Sequence, residues 1–185
     1  MTLFYRLQAP SILQALEGNF EQYHSVLWKP SWFSIIPKGV PFMPFVVWWL
    51  FHSMRLFYNR DYALLLIYDG DRLIHRSGVF PGYFRFPFMA KNDLQIGDTD
   101  TASDYRGKGL ATFAVQQILK SLPAATPMSF WYLVEAENAA SIRVIEKAGF
   151  ELIGKGRKKK RFGLSIFGYY DLETEIRNDT STVPN

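Results

Sequence analysis

The chain has 185 residues and no cysteine. That absence excludes disulfides, iron–sulfur clusters, thiolate zinc ligands and any thiol nucleophile. Histidine is also scarce: His24, His52 and His75 stand far apart, which argues against a histidine-built metal centre. No apolar run reaches the roughly 20 residues needed to cross a bilayer. The longest, Val40 to Phe51, contains Pro41 and Pro44 and is followed by His52, Ser53 and Arg55. The N-terminal MTLFYRLQAPSILQALEGN lacks a basic region followed by an apolar stretch, so the sequence reads as cytoplasmic.

What is present is a globular mix, 48% hydrophobic and 21% charged, of a length that fits one domain. Two features are uneven. The formal charge is +4, but Lys155, Arg157, Lys158, Lys159, Lys160 and Arg161 form one basic run. Removing those six leaves −2 for everything else. A general basic face for gripping a phosphate backbone is therefore absent, and no nucleic-acid partner is expected. Aromatic residues make up 17% of the chain and are densest between Trp28 and Phe88.

Patterning predicts a strand over Thr2–Leu7 and a helix from Ser11 towards Tyr23. A loop follows over Trp28–Gly39, then a helix starting near Pro44. Tyr62–Tyr68 and Arg72–Phe80 read as strands joined at Asp69-Gly70-Asp71, and Asp93–Thr101 as a third. Gly107–Leu122 is the clearest helix, with Leu110, Ala114, Ile118 and Leu122 in one i, i+4 row. Strand Met128–Ala136, a helix capped by Asn138 and ended by Gly149, and strands Phe150–Gly154 and Leu164–Leu172 complete the order. The last two strands are expected to pair across a basic turn at 155–161. The fold class is mixed α/β (α+β): one mostly antiparallel sheet of about seven strands flanked by about four helices. It forms one domain over 1–176, with 177–185 a flexible tail.

The stretch Tyr105-Arg106-Gly107-Lys108-Gly109-Leu110-Ala111 lies between a strand and the best helix. Two glycines let the backbone turn tightly, and a helix start presents unpaired amides to an anion such as a pyrophosphate. It is neither a Walker A loop nor a GxGxxG fingerprint, since Thr112 stands where the third glycine belongs. Downstream, Asn138 to Phe150 reads NAASIRVIEKAGF.

Together these two motifs resemble the GNAT superfamily of acyl-CoA-dependent N-acyltransferases. Arg106, Gly109 and Ala111 match its Arg/Gln-x-x-Gly-x-Gly/Ala motif, and Asn138, Lys147, Gly149 and Phe150 match its second pattern. The resemblance covers about Asp93 to Leu172. It divides the chain into an acceptor-side half, 1–92, and an acyl-CoA half, 93–176. It implies acetyl-CoA as donor and no metal. The pyrophosphate would lie on Arg106, Gly107, Lys108, Gly109, Leu110 and Ala111, and the pantetheine arm along Thr99, Asp100 and Thr101. Asn138 would contact that arm or merely cap its helix; Ser141 and Arg143 are weaker contacts.

The match departs from the family at its chemistry. Where many members carry an acid tyrosine this chain has Ile145, and where they carry a mid-strand glutamate it has about Gln95. Candidate catalytic residues are therefore Asp93, Gln95, Glu135 and His75, with Asp98 and Asp100 on the polar strand. Strict alternation places Asp98 and Asp100 opposite Gln95, Thr99 and Thr101. Tyr132, Tyr169 and Tyr170 are replacement acids by chemistry alone.

The expected reaction is direct acetyl transfer to a small-molecule primary amine, with an amino sugar nucleotide of surface polysaccharide synthesis as the analogy. Its alternatives are a catalytically degenerate acyl-CoA-binding module and a protein or peptide N-acetyltransferase. Trp32, Phe42, Trp48, Trp49 and Phe57, with Tyr83, Phe84, Phe86 and Phe88, read either as an acceptor wall or as extra core. The basic turn reads as a solvated tip, a phosphate contact or a membrane-surface contact, and homodimer formation stays open.

Overall fold

The computed structural model describes residues 1–9, 20–31, 36–40, 42–122, 128–161 and 164–175. These residues form eight strands and three α-helices, in the order β1 (Thr2–Ala9), β2 (His24–Trp28), α1 (Phe42–Ser53), β3 (Ala63–Asp69), β4 (Arg72–Pro81), β5 (Leu94–Thr101), α2 (Leu110–Ser121), β6 (Met128–Glu135), α3 (Ala139–Lys147), β7 (Glu151–Arg161) and β8 (Leu164–Glu175). The strands make one sheet in the order β2-β3-β4-β5-β6-β1-β7-β8. Every pairing is antiparallel except β5 with β6, which the α2 crossover joins in parallel.

Residues 10–19 of the first predicted helix lie outside the described residues, and Glu21 to Tyr23 form a turn before β2. The edge strand β2 was not expected from the sequence. No Gly or Pro directly flanks its five residues, which lie between Tyr23 and Lys29, and pairing with β3 is what makes it a strand.

Helix α2 packs as its periodicity requires: Leu110, Ala114, Val115 and Ile118 are buried against Leu65, Ile67, Ile96, Phe130 and Tyr132. Helix α3 joins the same aliphatic core through Ile145, and the Asn138 side chain caps it by accepting a hydrogen bond from the Ser141 amide (3.1 Å). The opposite face carries a second core, made of Phe45, Phe57, Tyr62, Phe80, Tyr83, Phe86, Met89 and Trp131 under α1 and the 82–92 loop. Alternation along the strands sends neighbours to different cores: Phe130 to the first and Trp131 to the second.

The basic run is not a turn. It is the second half of β7, paired along β8. Strand β8 brings acidic partners alongside. Arg157 pairs with Glu173 at 2.7 Å, Lys159 with Asp171, and Arg161 lies over the Tyr169 ring at 5.4 Å. Lysine and arginine do not forbid an exposed strand, and the cross-strand carboxylates supply what the one-dimensional charge count misses.

Candidate active site

Strands β5 and β6 part company halfway along. Their ladder joins Leu94 to Phe130, Gln95 to Trp131 and Ile96 to Tyr132, and then stops, although β5 continues to Thr101 and β6 to Glu135. Beyond Ile96 the side of β5 facing β6 has no strand partner, so a ligand of extended shape can hydrogen-bond along it.

At the end of that open strand the chain makes a short 3₁₀ turn, Ser103–Tyr105, and enters the glycine loop. Gly107 and Gly109 have φ values of +75° and +81°, a region that side-chain-bearing residues seldom occupy. Gly109 is the N-cap of α2, and no side chain caps the helix start. The first-turn amides and the positive end of the helix dipole are thus left for an anion. Arg106 anchors the loop by donating from Nε to the Thr101 carbonyl (3.0 Å), and Lys108 sits over the Tyr105 ring at 4.8 Å.

Between Gly97 and Asp100, β5 has two residues, Asp98 and Thr99, where β4 has only Ser77. This is a β-bulge, and Asp98 takes φ +48°, unusual for a residue other than glycine. The extra residue reverses the alternation beyond it. Gln95 pairs with Phe80 and Asp100 with Arg76, so Gln95, Asp98 and Asp100 share the face of the aromatic core; strict alternation put them on opposite faces. Thr99 and Thr101 point to the α2 face, where they meet His75 and Ser77.

The four residues on the α2 face form one hydrogen-bonded chain, Thr101–His75–Ser77–Thr99. His75 Nδ1 lies 2.7 Å from Thr101 Oγ1, His75 Nε2 lies 2.9 Å from Ser77 Oγ, and Ser77 Oγ lies 3.2 Å from Thr99 Oγ1. His75 is 1% exposed, and burial pushes its pKa down to about 4. The imidazole is therefore neutral at neutral pH and engaged at both nitrogens.

The aromatic face of the bulge is more open. Asp98 keeps 36% of its side-chain surface exposed and lies 3.8 Å from Arg76 Nη2, whose guanidinium covers the Phe45 ring at 5.4 Å. Burial raises the Asp98 carboxyl above its ordinary value, Arg76 opposes that rise, and Asp100 adds to it. The Tyr62 hydroxyl, buried without a hydrogen-bond partner, feels the Asp98 charge; burial and that charge both raise its pKa.

The candidate catalytic residues do not converge. Asp93 stands at the far end of β5, and its oxygens accept from Ala90 N, Ser129 N and Trp131 Nε1 at 2.8–2.9 Å. That bonding ties the 82–92 loop to β6. Glu135 pairs with the N-terminal amine at 3.2 Å and accepts from Thr2 Oγ1. Gln95 folds over Gly97, and its Nε2 donates to the Ile96 carbonyl. Ile145 is in the core, and Tyr170 stacks on Phe86. Among the aromatic candidates, Trp48, Phe57, Tyr83, Phe86 and Phe88 pack on one another or on Trp131, with ring centroids 4.9–6.4 Å apart, and so serve as core. Trp32 lies outside the described residues. Among those described, no group of three or more metal-ligating side chains occurs and no helix is long and apolar enough to cross a membrane.

The parallel fork, the bulge just beyond it and the uncapped glycine turn after both together define an acyltransferase-type architecture. The sequence profile of the Acetyltransferase (GNAT) family matches residues 27–150, and the chain belongs to that family. Solved structures resembling it include a GNAT-family chain of Novosphingobium aromaticivorans DSM 12444 (15% identity, TM-score 0.49), a GNAT-family acetyltransferase from Colwellia psychrerythraea (18%, 0.46) and a GCN5-related N-acetyltransferase from Sphaerobacter thermophilus (14%, 0.49). Each alignment covers 82% of this chain but only 61%, 52% and 48% of those structures, respectively. No curated protein matches the sequence.

Proposed function

We propose that this protein transfers an acetyl group from acetyl-CoA to a primary amine of a small molecule. The observation that carries the reading is the fork between β5 and β6 leading into the Gly107–Gly109 turn. The donor would lie with its pyrophosphate on the amides of Arg106 to Ala111 and its pantetheine arm along Thr99, Asp100 and Thr101. The residues fit such a group: a Cβ at Gly107 would meet nothing within 4 Å, and the helix start has no side-chain cap to displace. Asn138 and Ser141 are bonded to each other, which favours a capping role over a donor contact.

With no cysteine available for an acyl-enzyme, direct attack of the amine on the thioester is the simplest chemistry, and positioning supplies much of its acceleration. An amino sugar nucleotide is the acceptor class we favour, and the protein is expected to act in the cytoplasm. Incubation with acetyl-CoA and a panel of amines should release free CoA thiol in proportion to the N-acetylated product. Acetyl-CoA binding without turnover on any amine would favour a degenerate acyl-CoA-binding module instead.

A further inference from the structure

Gln95 has no useful basicity, His75 is enclosed on the α2 face, and Asp93 and Glu135 are engaged elsewhere. Two carboxylates stand past the last β5–β6 pair: Asp100, which lies 4.0 Å from Arg106 Nη2 at the glycine loop, and Asp98, which is nearer the fork. Asp98 is the second residue past the last β5–β6 pair, and the bulge turns it onto the face away from α2. Its positive φ is a backbone strain that an aspartate tolerates better than most residues, and such outliers cluster at functional sites. Its 3.8 Å approach to Arg76 is at the limit of an ion pair, so its oxygens retain capacity for another cation.

We infer that Asp98 is the group that receives the acceptor ammonium and takes its proton, and that Arg76 is the positioning residue that holds this carboxylate at the fork. The inference rests on the acetyl-transfer reading above. One proton passes from the ammonium to the Asp98 carboxylate. The freed nitrogen lone pair forms the C–N bond to the thioester carbonyl carbon, and the C–S bond breaks with its electron pair leaving on sulfur. A second nitrogen proton ends on that sulfur, and Asp98 returns its proton to water. The products are the amide, the CoA thiol and one proton.

The charged and titratable groups around Asp98 suit the task. Arg76 faces it from β4, Asp100 from its own strand, and the Tyr62 hydroxyl from the residue just before β3. From α1 the nearby titratable group is His52, whose ring centroid is 6.4 Å from that of Tyr62 and whose pKa is lowered by burial. Burial lifts the Asp98 carboxyl towards the range of an effective base, while Arg76 opposes that rise.

The test is Asp98→Asn, chosen because asparagine is at ease with positive φ and the fold should survive. Turnover at saturating acetyl-CoA should fall about 100-fold or more, with the acetyl-CoA KM within about twofold of the parent. The parent's kcat/KM should decline as pH falls through the carboxyl range, and this acid limb should vanish in Asp98→Asn. Arg76→Gln should move the limb to higher pH, whereas Arg76→Lys should largely keep its place. An Asp98→Asn enzyme within threefold of an active parent, or a limb unmoved by Arg76→Gln, overturns this inference and leaves acetyl transfer standing. A parent that turns over no amine overturns both.

Discussion

The two faces of the sheet are built from different material. Under α2 and α3 the core is mostly aliphatic, and its helices carry clear apolar rows. On the other face the core is mostly aromatic, and much of its cover is the irregular 82–92 loop. The difference extends to the polar groups of β5. On the aliphatic side His75, Ser77, Thr99 and Thr101 satisfy one another. On the aromatic side the Tyr62 hydroxyl and Arg76 Nε are buried without partners, and Asp98 is half open. One face is closed by internal hydrogen bonds, and the other retains buried polar atoms without hydrogen-bond partners.

The comparison can be broken most forcefully in the aromatic core. Phe80 packs on Trp48 at 5.0 Å and on Tyr62 at 5.5 Å. Phe80→Ala should cost about 3–5 kcal/mol in urea unfolding. A loss under about 1 kcal/mol would mean that the ring cluster is not a packed core.

The closed face predicts a pH dependence. His75 has a folded pKa near 4, below the value of about 6.5 expected when unfolded. Between these values the unfolded chain binds the proton and the folded chain does not, so stability is lost as pH falls from about 6.5 to 4. The loss from this group should approach about 3 kcal/mol, and His75→Gln should remove that part of the slope.

At the glycine turn, Gly109→Glu introduces a carboxylate and a side chain at φ +81°, with Phe20 Cζ 3.3 Å from the new Cβ. Acetyl-CoA affinity should fall about 100-fold by titration calorimetry, because the new charge faces the proposed pyrophosphate position. Unchanged affinity would remove the donor from that turn.

Smaller effects belong to the periphery. Asn138→Ala should cost about 1 kcal/mol through the lost cap and leave acetyl-CoA affinity alone. A drop in affinity would restore Asn138 as a donor contact. Lys159→Ala on the exposed β7–β8 pair should leave the urea unfolding midpoint almost unmoved, and high salt should shrink even that small shift.

Much of this was legible in the sequence for physical reasons. The α2 row, the Asn138 cap and the alternating strands are local patterns, and local patterns survive folding when tertiary contacts agree with them. The two motifs around Gly109 and Asn138 point to the family by sequence and spacing alone. The β5 bulge was not legible, because a register change shows only when β4 lies alongside. That single extra residue moved Asp98 and Gln95 onto one face. The length of β7 was also hidden: its lysines look like a solvated turn until Asp171 and Glu173 stand beside them.

The sequence by itself determined the family, the glycine turn and the absence of a thiol route, since these depend on which residues exist and how they are spaced. Only the tertiary structure decided which face of β5 Asp98 takes, that His75 is enclosed, and that Phe57, Tyr83 and Phe86 pack as core. Those outcomes depend on strand register and packing between residues far apart in the chain, which spacing does not encode.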